Sequence, residues 1–236
     1  YKQTIIGILW ALLRPFLTMV VFTVIFSKIA KLPSDGSAPY ALMVFAAMLP
    51  WSLFANALAE SSNSLIDNTN LISKVYFPRM IMPAATVITA LVDFLISFVI
   101  LIGMMLYYKF APGLQILLLP IFIAMALLAS LGPGLWITAL NVKYRDFRYV
   151  IPFVVQFGLY VSPVGFSSQV IPEQWRLLYN LNPMVGVIDG FRWCLLGGES
   201  PLYLPGFFLS LAIIAFFLWL GISRFRRMEK TFADII

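Results

Sequence analysis

Apolar positions along this chain gather into six long blocks, separated by short stretches that hold most of the charge. The blocks cover residues 5–27, 38–59, 82–108, 114–140, 150–168 and 203–223. Each is long enough to cross a hydrocarbon core of ~30 Å as a helix. A backbone in lipid must satisfy its own hydrogen bonds, and blocks of this length fit helices rather than barrel strands. The predicted fold is an all-α integral membrane protein with six transmembrane helices, forming one domain over residues 1–236.

Two further segments predict shorter elements. Residues 171–200 are semi-apolar and rich in Pro and Gly, and their best apolar piece, 183–197, contains Asp189 and Arg192. That piece is short for a crossing, so a re-entrant or interfacial pair of external helices is expected. Irregular backbone at that depth is tolerated where protein or a water-filled cavity covers it. Trp175, Tyr179 and Trp193 suit such an interface. Residues 60–78 are polar, yet Leu65, Ile66, Leu71, Ile72, Val75 and Tyr76 fall near helical spacing. A short amphipathic cytoplasmic helix over about residues 61–76 is expected. Its apolar face would suit the groove of a soluble partner or a bed of lipid headgroups.

Composition agrees with the pattern. The chain is 61% hydrophobic and 11% charged, where a soluble domain carries about 25% charged residues. Positive charge sets the orientation. One set of connections holds Lys2, Arg14, Lys74, Arg79, Lys143, Arg145, Arg148, Arg224, Arg226, Arg227 and Lys230; the other holds Lys28, Lys31, Lys109, Arg176 and Arg192. Eleven against five puts both termini in the cytoplasm. The chain opens on Tyr1 rather than Met, and an N-terminal segment is expected before it.

Some chemistry is excluded. The chain has no histidine, which removes His-based acid–base catalysis, His-ligated metals and His proton relays. Cys194 is the only cysteine, so no disulfide forms within the chain; it reads as a small buried hydrophobe. No G-x-x-x-x-G-K-[ST] phosphate loop is present. A function that needs ATP would therefore take it from another chain.

Four features could carry function. Asn141-Val-Lys-Tyr-Arg-Asp-Phe-Arg148 is a charged connection between two apolar blocks. Tyr149, Phe153, Phe157 and Tyr160 follow at spacings of four, four and three, which places them on one helix face. Aromatic faces stack on sugar rings, although the same stripe suits packing or lipid contact in a chain this aromatic. Arg14 and Asp93 fall within apolar blocks, where charge is costly. Arg14 is placed to snorkel or to meet a lipid phosphate, and Asp93 to join an ion pair. Asp189 and Arg192 are spaced for a local i,i+3 contact. Gly132-Pro-Gly134 is expected to kink the fourth block, and Gly186 with Gly190 forms a G-x-x-x-G outside a clean span.

Taken in order, these residues resemble the membrane subunit of ABC-2 type exporters, in the branch that exports O-antigen and teichoic-acid polysaccharides. The likeness starts at Tyr1-Lys-Gln-Thr-Ile-Ile-Gly-Ile-Leu-Trp10 and Arg14-Pro15. It continues through residues 141–148, Ile151-Pro-Phe-Val-Val-Gln156, Ser162-Pro-Val164, Leu181-Asn-Pro183 and Gly190-Phe-Arg-Trp-Cys-Leu-Leu-Gly197. Family members carry an amphipathic interface helix before the first span, and most of it is missing here.

The resemblance implies a permease without chemistry of its own, in the bacterial inner membrane. Two copies would form a channel, bound by two ABC ATPase subunits that hold ATP and Mg; this chain would need no cofactor and no nucleic acid. The cargo implied is a polysaccharide on an undecaprenyl-diphosphate anchor. Trp10, Phe22, Phe26, Tyr149, Phe153, Phe157 and Tyr160 would line the conduit. Arg14, Lys143, Arg145 and Arg148 would meet the diphosphate at the cytoplasmic entrance. Leu65, Ile66, Leu71, Ile72, Val75 and Tyr76 would form the coupling helix, and Trp175, Tyr179, Asp189, Arg192 and Trp193 the external gate. The rival readings are an ABC-2 exporter of a drug or lipid, a membrane-embedded lipid-modifying enzyme, and a secondary transporter or channel. The enzyme reading lacks clustered His, Asp or Glu, and the last lacks several mid-membrane ionisable groups.

Overall fold

The computed structural model describes residues 5–34, 36–74, 77–144, 146–197 and 202–229, with the side chains of 5–12, 70, 72 and 73 excepted. Every regular element among them is helical. Helix α1 (Ile5–Phe22) runs on as a π-helix through Thr23–Ile29. Helix α2 is Tyr40–Asp67, α3 Thr69–Lys74 and α4 Ile81–Tyr107. A 3-10 turn (Leu114–Leu118) leads into α5, Leu119–Lys143. Helix α6 is Phe147–Val161, α7 Glu173–Tyr179, α8 Pro183–Leu195 and α9 Leu204–Glu229.

Four of the described helices are long and apolar enough to cross a membrane: α2, α4, α5 with its 3-10 turn, and α9. The expected fifth block is cut short. Helix α6 has 15 residues, about 22 Å at the α-helical rise. It ends where Ser162 turns extended (φ −84°, ψ 153°), because a residue before proline is pushed out of the helical region. Residues 162–170 then form a turn and a short 3-10 segment, Ser168–Val170.

Helix α2 is the hub. It packs on α1, α4, α5, α6 and α8, and residues 42–51 are buried on all sides. An all-round apolar helix needs such surroundings. Small residues allow the close crossings that drive association in lipid. A Cβ on Gly134 would strike Ser61 of α2, and one on Gly132 would sit 2.7 Å from the backbone of Phe217 and Leu218 in α9. The helical assignment of α5 is unbroken through Pro133, so the Gly-Pro-Gly triplet serves two helix contacts at once. Gly186 lies against Ser210 and Gly206 of α9, and Gly190 against the Phe122 ring of α5. Both glycines of the G-x-x-x-G are therefore spent on wedging α8 between its neighbours.

A polar seam joins α2 to α5. Thr138 Oγ1 donates to the Ser61 carbonyl (2.7 Å), and Asn141 Nδ2 to the Ser62 carbonyl (2.9 Å). The hydroxyls of Ser61, Ser62 and Ser64 bond back to carbonyls three or four residues earlier, which lets a serine-rich turn be buried. Asn141 is fully buried, and its Oδ1 has no hydrogen-bond partner among the described residues. Replacing Asn141 with the near-isosteric leucine should therefore cost no more than about 1 kcal/mol, because a lost donor is offset by a removed orphan acceptor. Thermal unfolding of the purified chain checks this; a much larger loss would mean that Oδ1 is satisfied in the membrane.

Charged contacts gather the helix ends. The Arg79 guanidinium donates to the Glu229 carbonyl (3.3 Å) and its backbone N–H to Glu229 Oε1 (3.2 Å). Arg148 pairs with Asp67 at 3.4 Å. The end of α2, the start of α4, the α5–α6 connection and the end of α9 thus share one end of the bundle.

Candidate functional site

The aromatic series on α6 forms one exposed face. Tyr149 is 80% exposed, Phe153 67%, and Phe157 and Tyr160 each 60%. The rings of Phe153 and Phe157 stack at 6.1 Å and 12°. The opposite side of α6 is held inward. Ile151 is buried, and a Cβ on Gly158 would lie 2.7 Å from the Trp51 ring of α2. Alternation of large aromatics outward with Ile and Gly inward therefore fixes which way the stripe points.

Two residues expected on that face are not on it. Phe22 is buried in the core, edge-to-face with Phe26 at 5.5 Å and 6.3 Å from Tyr160. Phe26 is half-buried against Gly165. Both are packing residues at the end of the stripe, because α1 turns them toward α6 and the turn after it. The Trp10 side chain lies outside the described residues.

Beside the stripe is a half-open cleft of about 1020 Å³ between α1, α2, α4 and α6. Its polarity is graded. Arg14, Asn56, Glu60 and Asp93 line one part, while Phe22, Met48 and Leu49 line the part toward the other ends of α1 and α2. Thr89 Oγ1 donates to Glu60 Oε2 at 3.4 Å, linking α4 to α2. Gln156 and Tyr160 complete the wall from α6. Arg14 therefore shares its cleft with two carboxylates, a poor setting for the diphosphate contact expected of it. Sequence reasoning passed over Asn56, Glu60 and Gln156. The signal was available: Ser52, Asn56 and Glu60 repeat at i, i+4 and i+8 directly after the apolar, buried stretch 42–51 of α2.

At the charged end, Lys143 and Arg148 are exposed. Lys143 Nζ lies 5.2 Å from the Tyr144 ring centroid. The Arg148–Asp67 pair is more than half exposed on both sides, which leaves it little net strength and Arg148 available to an incoming anion. Arg145 lies outside the described residues.

The expected coupling helix is divided. Residues 61–67 continue α2, and Leu65 is fully buried against Leu135, Ala139, Val142 and Phe225. Leu65 is thus a core residue, not a docking residue; the serines around it made the segment look exposed. Ile66 is half-buried. The chain breaks at Asn68 and resumes as α3, where Leu71 is exposed. The Ile72 side chain, Val75 and Tyr76 lie outside the described residues.

At the opposite end, Trp175 is exposed, Trp193 and Asp189 are half-buried, and ten of the 13 residues of α8 are buried. Tyr179 Oη donates to the Val161 carbonyl at 2.8 Å. Burial pushes the Tyr179 phenol pKa up, the Asp189 charge adds to this and Arg192 opposes it, so the donor keeps its proton. Arg192 is 0% exposed. Its guanidinium donates to the carbonyls of Phe166 (2.9 Å), Val164 (3.1 Å) and Met43 (3.4 Å). Arg192 is therefore an internal brace between α8, α2 and the turn after α6 rather than a gate surface.

Comparison with known proteins places this architecture. The family model for the ABC-2 type transporter matches residues 1–196. This chain belongs to the ABC-2 type transporter family. As an ABC-2 chain it is a multi-pass membrane transport protein, in keeping with its four apolar helices. It is similar to the O-antigen export system permease protein RfbA of Klebsiella pneumoniae, 26% identical over 243 residues, with 100% of this chain and 90% of that protein covered. The protein of the same name from Myxococcus xanthus is 25% identical over 238 residues, with the same coverage. The inner membrane transport permease YadH of Escherichia coli is 24% identical over 233 residues, covering 93% of this chain and 90% of YadH.

Proposed function

We propose that this chain is the membrane permease of an ATP-driven exporter of O-antigen-type polysaccharide carried on an undecaprenyl-diphosphate anchor. The observation that carries the reading is the exposed aromatic face of α6 in a chain similar over its full length to O-antigen export permeases. Helices α1 and α6 cross the membrane together with α2, α4, α5 and α9, with α7 and the wedge α8 on the external side. The charged end, with both termini, faces the cytoplasm. Two copies bring their α1 and α6 helices together around a conduit. A separate ABC ATPase holds ATP and Mg and pushes on α3 through Leu71 and its neighbours. Lys143, Arg145 and Arg148 meet the diphosphate at the entrance; the sugars then slide along Tyr149, Phe153, Phe157 and Tyr160. Stacking suits a moving polymer, since each contact is weak and tolerant of ring position.

Replacing both Phe157 and Tyr160 with alanine tests this. Two stacking contacts at about 0.5–1.5 kcal/mol each predict roughly a tenfold fall in export or more. The readout is glycan at the cell surface, at an unchanged amount of permease in the membrane. Full export by the double variant would reject the aromatic conduit. Failure of an ABC ATPase to co-purify with the full chain would reject the exporter class itself.

A further inference from the structure

The aromatic face leaves the cleft beside it without a role. Its volume of about 1020 Å³ is at the upper end of the range for small-molecule sites. The amides of Asn56 and Gln156 are exposed within it, and neither makes a side-chain hydrogen bond to another described residue. Amides and carboxylates on membrane helices are costly unless something polar meets them, and so they mark pathways. Tyr160 belongs both to the exposed stripe and to the cleft wall. The cleft therefore opens onto the aromatic face.

The lining chooses among ligand chemistries. Among the described lining residues, an anion such as a diphosphate would meet Glu60 and Asp93 against a single guanidinium, Arg14, and like charges repel. An acyl chain would leave both amides unpaired. A hydroxylated ring fits. Carboxylates accept from hydroxyls and amides both donate and accept, while the exposed Tyr160 offers a ring face to C–H edges.

We infer that the cleft between α1, α2, α4 and α6 is a saccharide subsite, in which Asn56, Glu60, Asp93 and Gln156 hydrogen-bond the hydroxyls of one sugar unit of the glycan. The inference rests on the proposal that the cargo is a glycan. It adds a place where sugar is read, beside a face on which sugar slides.

The test uses the full-length chain with its co-purified ATPase in lipid nanodiscs. The probe is the lipid-free oligosaccharide repeat released from the encoding cell's own surface glycan, followed by saturation-transfer NMR. Saturation of the ring protons is expected in the wild type. Binding should weaken at least about tenfold in the Asn56→Leu/Gln156→Leu variant, which loses several hydrogen bonds. Leu106→Ala, at an exposed apolar site far along α4, should bind as the wild type does. If the double variant does not fold, Gln156→Leu alone, an exposed position, carries the comparison. Equal binding by wild type and variant overturns the subsite, as does displacement of the sugar by inorganic pyrophosphate. If the cell exports glycan through this permease while binding ignores Asn56 and Gln156, only the subsite falls. If the permease exports no glycan and binds none, both readings fall.

Discussion

Replacing Gly132 with leucine should leave no folded chain in the membrane. The reason is the contact between α5 and α9, where helix backbones meet without side chains between them. A Cβ on Gly132 would lie 2.7 Å from the Leu218 nitrogen and the Phe217 carbonyl carbon, and a Cβ on Gly221 would strike the backbone of Gly132. Backbone atoms in a helix cannot step aside singly, so the helices must part. Parting them also opens the cluster of Leu65, Leu135, Ala139, Val142 and Phe225 at the charged end. Even Gly132→Ala should cost about 1–3 kcal/mol through overpacking, or roughly 2–12 °C in unfolding midpoint. Gly103 in α4 is the internal control. Nothing lies within 4 Å of a Cβ built there, so Gly103→Ala should be neutral or stabilise by up to ~1 kcal/mol through helix propensity. Equal midpoints for Gly132→Ala and Gly103→Ala would show that α5 and α9 pack less closely than this.

What the sequence disclosed follows from which forces are local. Both ends of α4 and the start of α9 fell within one residue of the apolar blocks at 82–108 and 203–223, because a long apolar helix advertises itself by hydropathy alone, whereas α9 runs six residues past its block through the charged turn to Glu229. The facing of Tyr149, Phe153, Phe157 and Tyr160 was legible for the same reason, since helical spacing is a local property. Leu65 was not. Its serine neighbours are polar in composition yet buried in fact, each hydroxyl being satisfied within its own helix. Spacing cannot distinguish such a turn from an exposed amphipathic one. Phe22 and Phe26 were misplaced because their surroundings, Tyr160 and Gly165, are well over a hundred residues away in sequence. The cleft was hidden by the same non-locality: its polar wall takes two or three residues from each of four helices. The Ser52, Asn56, Glu60 repeat was its only local trace.

Arg192 is the second position where a single change should have a large effect, and it shows how a fully buried charge can be structural. Its acceptors are the carbonyls of Val164 and Phe166, in irregular backbone that α6 leaves behind when it ends at Val161, and the carbonyl of Met43 in α2. Carbonyls freed from a helix need donors wherever water is excluded. The planar guanidinium supplies several donors in fixed directions, and lysine cannot match that geometry. Arg192→Met keeps much of the volume but strands these carbonyls, at an expected cost of about 3–5 kcal/mol. That corresponds to a fall of about 10 °C or more in unfolding midpoint. Arg192→Lys should recover part of the loss, because one ammonium can reach one or two acceptors. Alanine at the exposed Trp175 should barely move the midpoint, although it sits at the same end of the bundle. If methionine were tolerated as well as lysine, the turn carbonyls would have to be satisfied by something other than Arg192, and the brace between α2, α8 and the end of α6 would not exist.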